Sequence, residues 1–218
     1  MIHTTTNKGL HNLVGEQVLT NYARPGLKAA DLGSGPGAMA VRLHQMGCDL
    51  IAADQSANGF VPQLLHQTVN FNQADFAAKL SEGAFGILTV IEVVEHVERP
   101  IGFSRNAGRM LSPGCVEILT TRNVDSFPAR LKFFLAGKIR PMDEHSEPTH
   151  IPPIFCDLLQ RQFLPHADLR LRQHLLFLPD GFQLSHKTVA WFMRLAARVF
   201  SGESILRDNH IFMLEAVS

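Results

Sequence analysis

Apolar positions along the chain change their period at regular intervals. Residues 8 to 23 carry Leu10, Leu13, Val14, Val18 and Leu19 at helical spacing, and Arg24-Pro25-Gly26 ends the segment. Leu27 to Leu32 is a short apolar run that breaks into glycines, after which Met39, Val41, Leu43 and Met46 resume a helical period. That order predicts strand, turn and helix. Leu50 to Ala53 predicts a second strand ending at Asp54, and Thr68 to Asn72 a weaker third. Phe85 to Val94 is almost continuously apolar, as a strand covered on both faces has to be, and belongs at the centre of the sheet. Ile101 to Leu111 predicts a helix stopped by Ser112-Pro113-Gly114, and Cys115 to Thr121 the strand that follows.

Strands that alternate with helices need right-handed crossovers, which give an α/β fold: an open, doubly wound, mostly parallel sheet with helices on both faces. Ligands of such a sheet collect at the carboxyl ends of its strands. In the last third, Ile154 to Phe163 and Val189 to Phe200 are helical, Leu169 to Phe177 fits strand or helix, and His210 to Val217 resembles a closing strand. With 218 residues, no internal repeat and no Gly/Pro/Ser linker, the chain is expected to form one domain, 1–218.

The strand-to-helix turn carries the first chemistry. In Asp31-Leu32-Gly33-Ser34-Gly35-Pro36-Gly37, three alternate glycines allow a ligand to approach the backbone closely. Gly33, Gly35 and Ala38 also satisfy the spacing of a dinucleotide fingerprint. Asp31 tips the balance, because a carboxylate just before the turn repels a pyrophosphate and suits a cationic amino-acid moiety. Asp54, at the end of the second strand, can accept both hydroxyls of a ribose. Asp75 in Asn72-Gln73-Ala74-Asp75-Phe76 can accept from an adenine amino group with Phe76 beside the ring, or can simply cap a helix.

Taken in order, AADLGSGPGAMAVRL, IAADQS, NQADF, FGILTVIEVVEHVERP and LSPGCVEILTT resemble the successive motifs of class I S-adenosylmethionine-dependent methyltransferases. The resemblance covers residues 10 to about 122 and implies a Rossmann-like sheet of seven strands. It implies that the glycine loop receives the methionine portion of the cofactor, Asp54 the ribose and Asp75 the adenine. The cofactor-contacting positions expected on these grounds are Asp31, Gly33, Ser34, Gly35, Gly37, Asp54, Gln55, Asp75, Phe76 and Glu92.

The segment IEVVEHVERP places Glu92, Glu95 and His96 at spacings of three and four, on neighbouring faces if the strand turns into a helical turn. Two carboxylates and an imidazole can bind a divalent metal, or His96 alone can act as a general base toward a hydroxyl. The segment is similar to that of ubiquinone-biosynthesis O-methyltransferases and small-RNA 2′-O-methyltransferases, in which the resemblance implies a metal held by Glu92, Glu95 and His96. His145 or His150 would then supply a fourth ligand. Methyl transfer itself needs mainly in-line positioning, since the sulfonium is already activated.

Residues 123 to about 165 interrupt the sheet pattern and are expected to form a helical lid over the substrate. Phe127, Leu131, Phe134 and Leu135 recur at helical spacing there, with Arg130, Lys132, Lys138 and Arg140 around them. Trp191, Phe192, Leu195 and Val199, with Lys187, Arg194 and Arg198, repeat the theme. Both suit a small or lipid-like acceptor, an anionic one or peripheral membrane contact, and core packing accounts for the apolar stripes equally well. Lys plus Arg and Asp plus Glu number 20 each, which argues against nucleic acid as the partner. The three cysteines, Cys48, Cys115 and Cys156, form no paired metal motif and predict no disulfide framework. With neither an apolar leader nor a membrane-length span, the expected location is the cytoplasm.

Overall fold

The computed structural model describes residue 6 and residues 9–142, 149–177 and 207–217. Its strands are β1 (Lys28–Leu32), β2 (Asp49–Asp54), β3 (His66–Thr68), β4 (Phe85–Ile91), β5 (Leu111–Arg122), β6 (Leu169–Phe177) and β7 (Asn209–Ala216). They form one sheet of seven strands in the order β3-β2-β1-β4-β5-β7-β6, with β4 at the centre. Strands β1 to β5 pair in parallel, whereas β7 runs antiparallel to both β5 and β6.

The helices are α1 (Leu10–Leu13), α2 (Ala38–Gln45), α3 (Ala77–Leu80), α4 (Pro100–Met110), α5 (Phe127–Ala136), α6 (Cys156–Leu158) and α7 (Leu164–His166). The lead-in helix widens into a π turn at Val14–Val18, and a second π turn at Leu159–Phe163 joins α6 to α7. Because successive strand residues face opposite sides, the sheet builds two cores. Ala29, Ile87, Ile118 and Ile211 pack against Leu10, Val14, Met39 and Leu43 on one face. Leu88, Val90, Leu119 and Phe212 pack against Phe76, Phe103, Met110, Leu159 and Phe163 on the other. Each such side chain, fully buried, contributes roughly 1.5–3 kcal/mol.

Three expectations shift. The third strand is His66–Thr68, not Thr68 to Asn72, because Asn70 Oδ1 accepts the Asn72 amide at 2.9 Å and bends the chain. That bend carries Phe71 into an aromatic cluster with Phe76 and Phe103, at ring-centroid distances of 5.3 and 5.5 Å. The central strand stops at Ile91, where Glu92 takes a left-handed φ of 53°. The stop signal Ser112-Pro113-Gly114 does not end pairing: it is absorbed as an irregularity between the Phe85↔Leu111 and Ile87↔Val116 partners, so β5 begins at Leu111. Leu169 to Phe177 is a strand because β7 supplies it with a partner. The expected helix at Val189 to Phe200 lies outside the described residues.

Candidate active site

The winding direction reverses between β1 and β4, since β2 and β3 lie on one side of β1 and β4 and β5 on the other. Loops leaving the carboxyl ends of β1 and β4 therefore diverge and open a crevice. The amides of Gly33 and Ser34 donate to the Ala53 carbonyl at 2.8 and 3.1 Å, fixing the glycine loop to β2. Gly33 has φ 72°, and a Cβ there would lie 2.2 Å from Val93 Cγ2, so no other residue fits. At Gly35, by contrast, a Cβ would meet nothing within 4 Å, which leaves the backbone there accessible to a ligand. Ser34 is buried, and its Oγ has no hydrogen-bond partner. Gly37 caps α2 and is covered by Phe60 and Pro62.

Asp54 faces this loop from the end of β2. Its Oδ2 accepts the Gly35 amide at 2.8 Å and its Oδ1 the Gln55 amide at 2.6 Å. Each oxygen keeps further acceptor capacity. Asp31 lies at the end of β1, just before the loop. It is 2% exposed, lies beneath the loop and accepts the Thr89 hydroxyl at 2.7 Å. Burial drives its pKa up to about 7, against the opposing pull of Thr89 and the Ala40 amide, with the Asp54 charge adding to the rise. Thr89 thus engages Asp31 Oδ1, while Oδ2 has no hydrogen-bond partner among the described residues.

The two residues expected on the adenine side lie as follows. The Asp75 carboxylate is exposed and paired with Arg109 on α4 at 2.9 Å, and Arg109 also bonds Glu82. Phe76 has no exposed surface and belongs to the Phe71–Phe103 cluster, so its ring is unavailable to a ligand.

Beyond β4 the chain makes a tight turn at Val94–His96. The Glu92 side chain is 7% exposed, and its Oε1 meets Arg122 Nε at 2.9 Å and Asn209 Nδ2 at 2.6 Å. Burial raises the Glu92 pKa, while Arg122, Asn209 and His150 oppose the rise. Glu95 is fully buried with neither carboxyl oxygen hydrogen-bonded to normal geometry. Burial first, and the neighbouring Glu92 second, raise its pKa to about 8. Residues 149–151 strap across this turn. The Ile151 amide donates to the Glu95 carbonyl at 2.8 Å, and His96 Nδ1 lies 2.9 Å from Thr149 Oγ1 and 3.3 Å from its carbonyl. His150 Nδ1 donates to the Pro141 carbonyl at 2.7 Å, and the His96 and His150 rings are 4.7 Å apart.

The expected metal set is therefore not assembled among the described residues. Donor atoms of Glu92, Glu95, His96 and His150 do not gather in one compact group, because Arg122 and Asn209 engage Glu92 and Glu95 is turned into the core. His145 lies outside the described residues. Thr89, Arg122, Thr149 and Asn209 were not foreseen. Thr89 alone leaves a local signal, a hydroxyl in the midst of the apolar run FGILTVI.

A seven-stranded sheet whose antiparallel β7 enters between β5 and β6 departs from the 3-2-1-4-5-6 order of dinucleotide-binding folds. That strand order sets the dehydrogenase reading aside. A family model described as a methyltransferase domain matches residues 30–119. That match, over less than half of the chain, together with the fold supports a class I S-adenosylmethionine-dependent methyltransferase.

Within that class it is similar to the ubiquinone biosynthesis O-methyltransferase of Roseobacter denitrificans, 25% identical over 188 residues that cover 81% of this chain and 70% of the relative. The protein of the same name from Ruegeria pomeroyi is 28% identical over 170 residues, covering 73% and 67%. Several further relatives of that name are matched over only about half of their own length. A SAM-dependent methyltransferase from Archaeoglobus fulgidus shares the fold with a TM-score of 0.68 at 13% identity, over 94% of each chain. Among the described residues no helix is long and apolar enough to cross a membrane.

Proposed function

We propose that this enzyme methylates a hydroxyl oxygen of a small or lipid-like acceptor, with His96 as the proton acceptor. S-adenosylmethionine, when bound, supplies an activated methyl group, so the protein has to hold it, align the acceptor and remove a proton. The residues present fit that cofactor. The open backbone at Gly35 and the unpartnered Ser34 Oγ leave room and polarity for its methionine portion, and Asp54 retains acceptor capacity for ribose hydroxyls.

The observation that carries the oxygen reading is the anchoring of His96 on Thr149. The Thr149 hydroxyl and carbonyl together hold the imidazole ring in place, and a neutral ring keeps one nitrogen that can take a proton. An imidazole so oriented can take the proton of a phenol or alcohol near neutral pH. A lipid-like acceptor is supported by α5, which leaves β5 at the carboxyl edge. Its Phe133, Phe134 and Leu135 are exposed, beside Arg130, Lys132 and Lys138. The names of the relatives, enzymes of ubiquinone biosynthesis, agree in class.

The test is release of demethylated cofactor from S-adenosylmethionine across a panel of phenols and catechols with and without prenyl tails, beside matched amines. Turnover of hydroxylated acceptors is expected, with His96→Ala lowering kcat by about 10²–10⁴ while cofactor affinity stays nearly unchanged. Turnover of amines alone, or a His96→Ala enzyme of full activity, would sink the reading.

A further inference from the structure

Away from the glycine loop, three residues distant in sequence meet on the sheet face that packs against α4 and α6. His174 lies on β6, His210 on β7, and Cys156 opens α6. Each offers one donor atom, and the three atoms lie within 4.8 Å of one another. His174 Nε2 and His210 Nδ1 face each other at 2.8 Å, and Gln160 Nε2 lies 3.3 Å from Cys156 Sγ. Phe212 stacks on His174 with ring centroids 4.5 Å apart, which fixes its plane.

The chemistry of this cluster is unusual for a structural core. One hydrogen bond joins the two imidazoles, and of their two other nitrogens His210 Nε2 is buried without a hydrogen-bond partner among the described residues. The nitrogens that face each other, His174 Nε2 and His210 Nδ1, are the candidate donors, and two imidazoles beside a thiol are the groups a borderline-soft divalent ion selects.

We propose that Cys156, His174 and His210 form a zinc site with a fourth position open to water. In tetrahedral coordination with Zn–N of roughly 2.0–2.1 Å, two ligand nitrogens sit about 3.3 Å apart. The observed 2.8 Å needs only a small spreading of the two rings. Binding breaks the Cys156 S–H bond, releases its proton to solvent and forms a Zn–S bond, with no change of oxidation state. The metal joins β6 and β7 to α6, three elements that hydrogen bonds within the sheet alone do not tie together.

The experiment uses the full chain, stripped with a chelator and titrated with Zn²⁺ and, as a spectroscopic probe, Co²⁺. The wild type is expected to bind one ion, to show a thiolate-to-cobalt charge-transfer band, and to melt at higher temperature with Zn²⁺ than without. Cys156→Ser is expected to lose the band. His174→Gln, at a half-exposed position, is expected to weaken binding by more than the roughly 10–100-fold typical of outer-shell changes. Glu95→Gln is expected to keep both stoichiometry and band. Absence of binding would overturn the site. So would a band that survives Cys156→Ser, or binding lost in Glu95→Gln and kept in Cys156→Ser, which would move the metal to the β4 turn.

Discussion

At the scale of single residues the cofactor crevice rests on a few fixed backbone groups. The Gly35 and Gln55 amides hold the Asp54 carboxylate in one orientation, so its remaining lone pairs are preorganised for hydroxyl donors. Charge-assisted hydrogen bonds of this kind are worth about 1.5–3 kcal/mol each. Asp54→Ala is therefore expected to weaken S-adenosylmethionine binding by on the order of a hundredfold in calorimetry, with the far-ultraviolet circular dichroism unchanged. An unaltered affinity would remove Asp54 from the site. Its position was legible in the sequence because a strand end, a glycine turn and an acid are local signals. The pairing of Asp75 with Arg109 was not, because the two lie 34 residues apart. The Glu92 pairing with Asn209 spans 117 residues, beyond the reach of any local pattern.

Among the elements, α4 shows how packing decides the meaning of a residue type. It carries two glycines. A Cβ on Gly108 would lie 2.1 Å from the Ala167 carbonyl oxygen, whereas one on Gly102 would approach only Arg99 Cβ, at 3.6 Å. Gly108→Ala is expected to destabilise the protein by about 1–3 kcal/mol through overpacking. Gly102→Ala should stabilise it by about 0.5–1 kcal/mol through helix propensity. Urea denaturation reads both, and equal effects would contradict the close approach of α4 to the α7–β6 connection. Helix α4 itself was visible in the sequence almost to the residue, as was β4 up to Ile91. The lead-in segment was read as a helix without its π turn, since widening of that kind answers to packing and not to periodicity. At β3 the sequence showed apolar residues, but the Asn70 turn and the Phe71 contact, not the run itself, decide where pairing stops.

For the molecule as a whole, buried carboxyls set the response to pH. Glu117 on β5 has no exposed surface, and neither carboxyl oxygen has a partner. Burial alone raises its pKa from 4.5 to about 8. The folded chain then binds this proton more tightly than the unfolded one. The associated stability is full below the unfolded value and is lost as pH climbs toward 8. Glu95, at about 8, and Asp31, at about 7, slope the same way. Glu117→Gln is expected to stabilise the protein at pH 8 by on the order of 1–3 kcal/mol, the gain fading toward pH 4. Melting curves across that range check the sign, and a gain that grew toward acid would refute it. The placement of β7 between β5 and β6 has a consequence in time. A chain emerging amino end first presents β6 before any neighbour exists to receive it, and only the arrival of Asn209–Ala216 completes both seams at once. The same arrival delivers Asn209 to Glu92 and His210 to His174. During synthesis the half of the crevice built on the glycine loop and Asp54 can thus take shape early, while the Glu92 turn and the His–Cys cluster wait for the final strand.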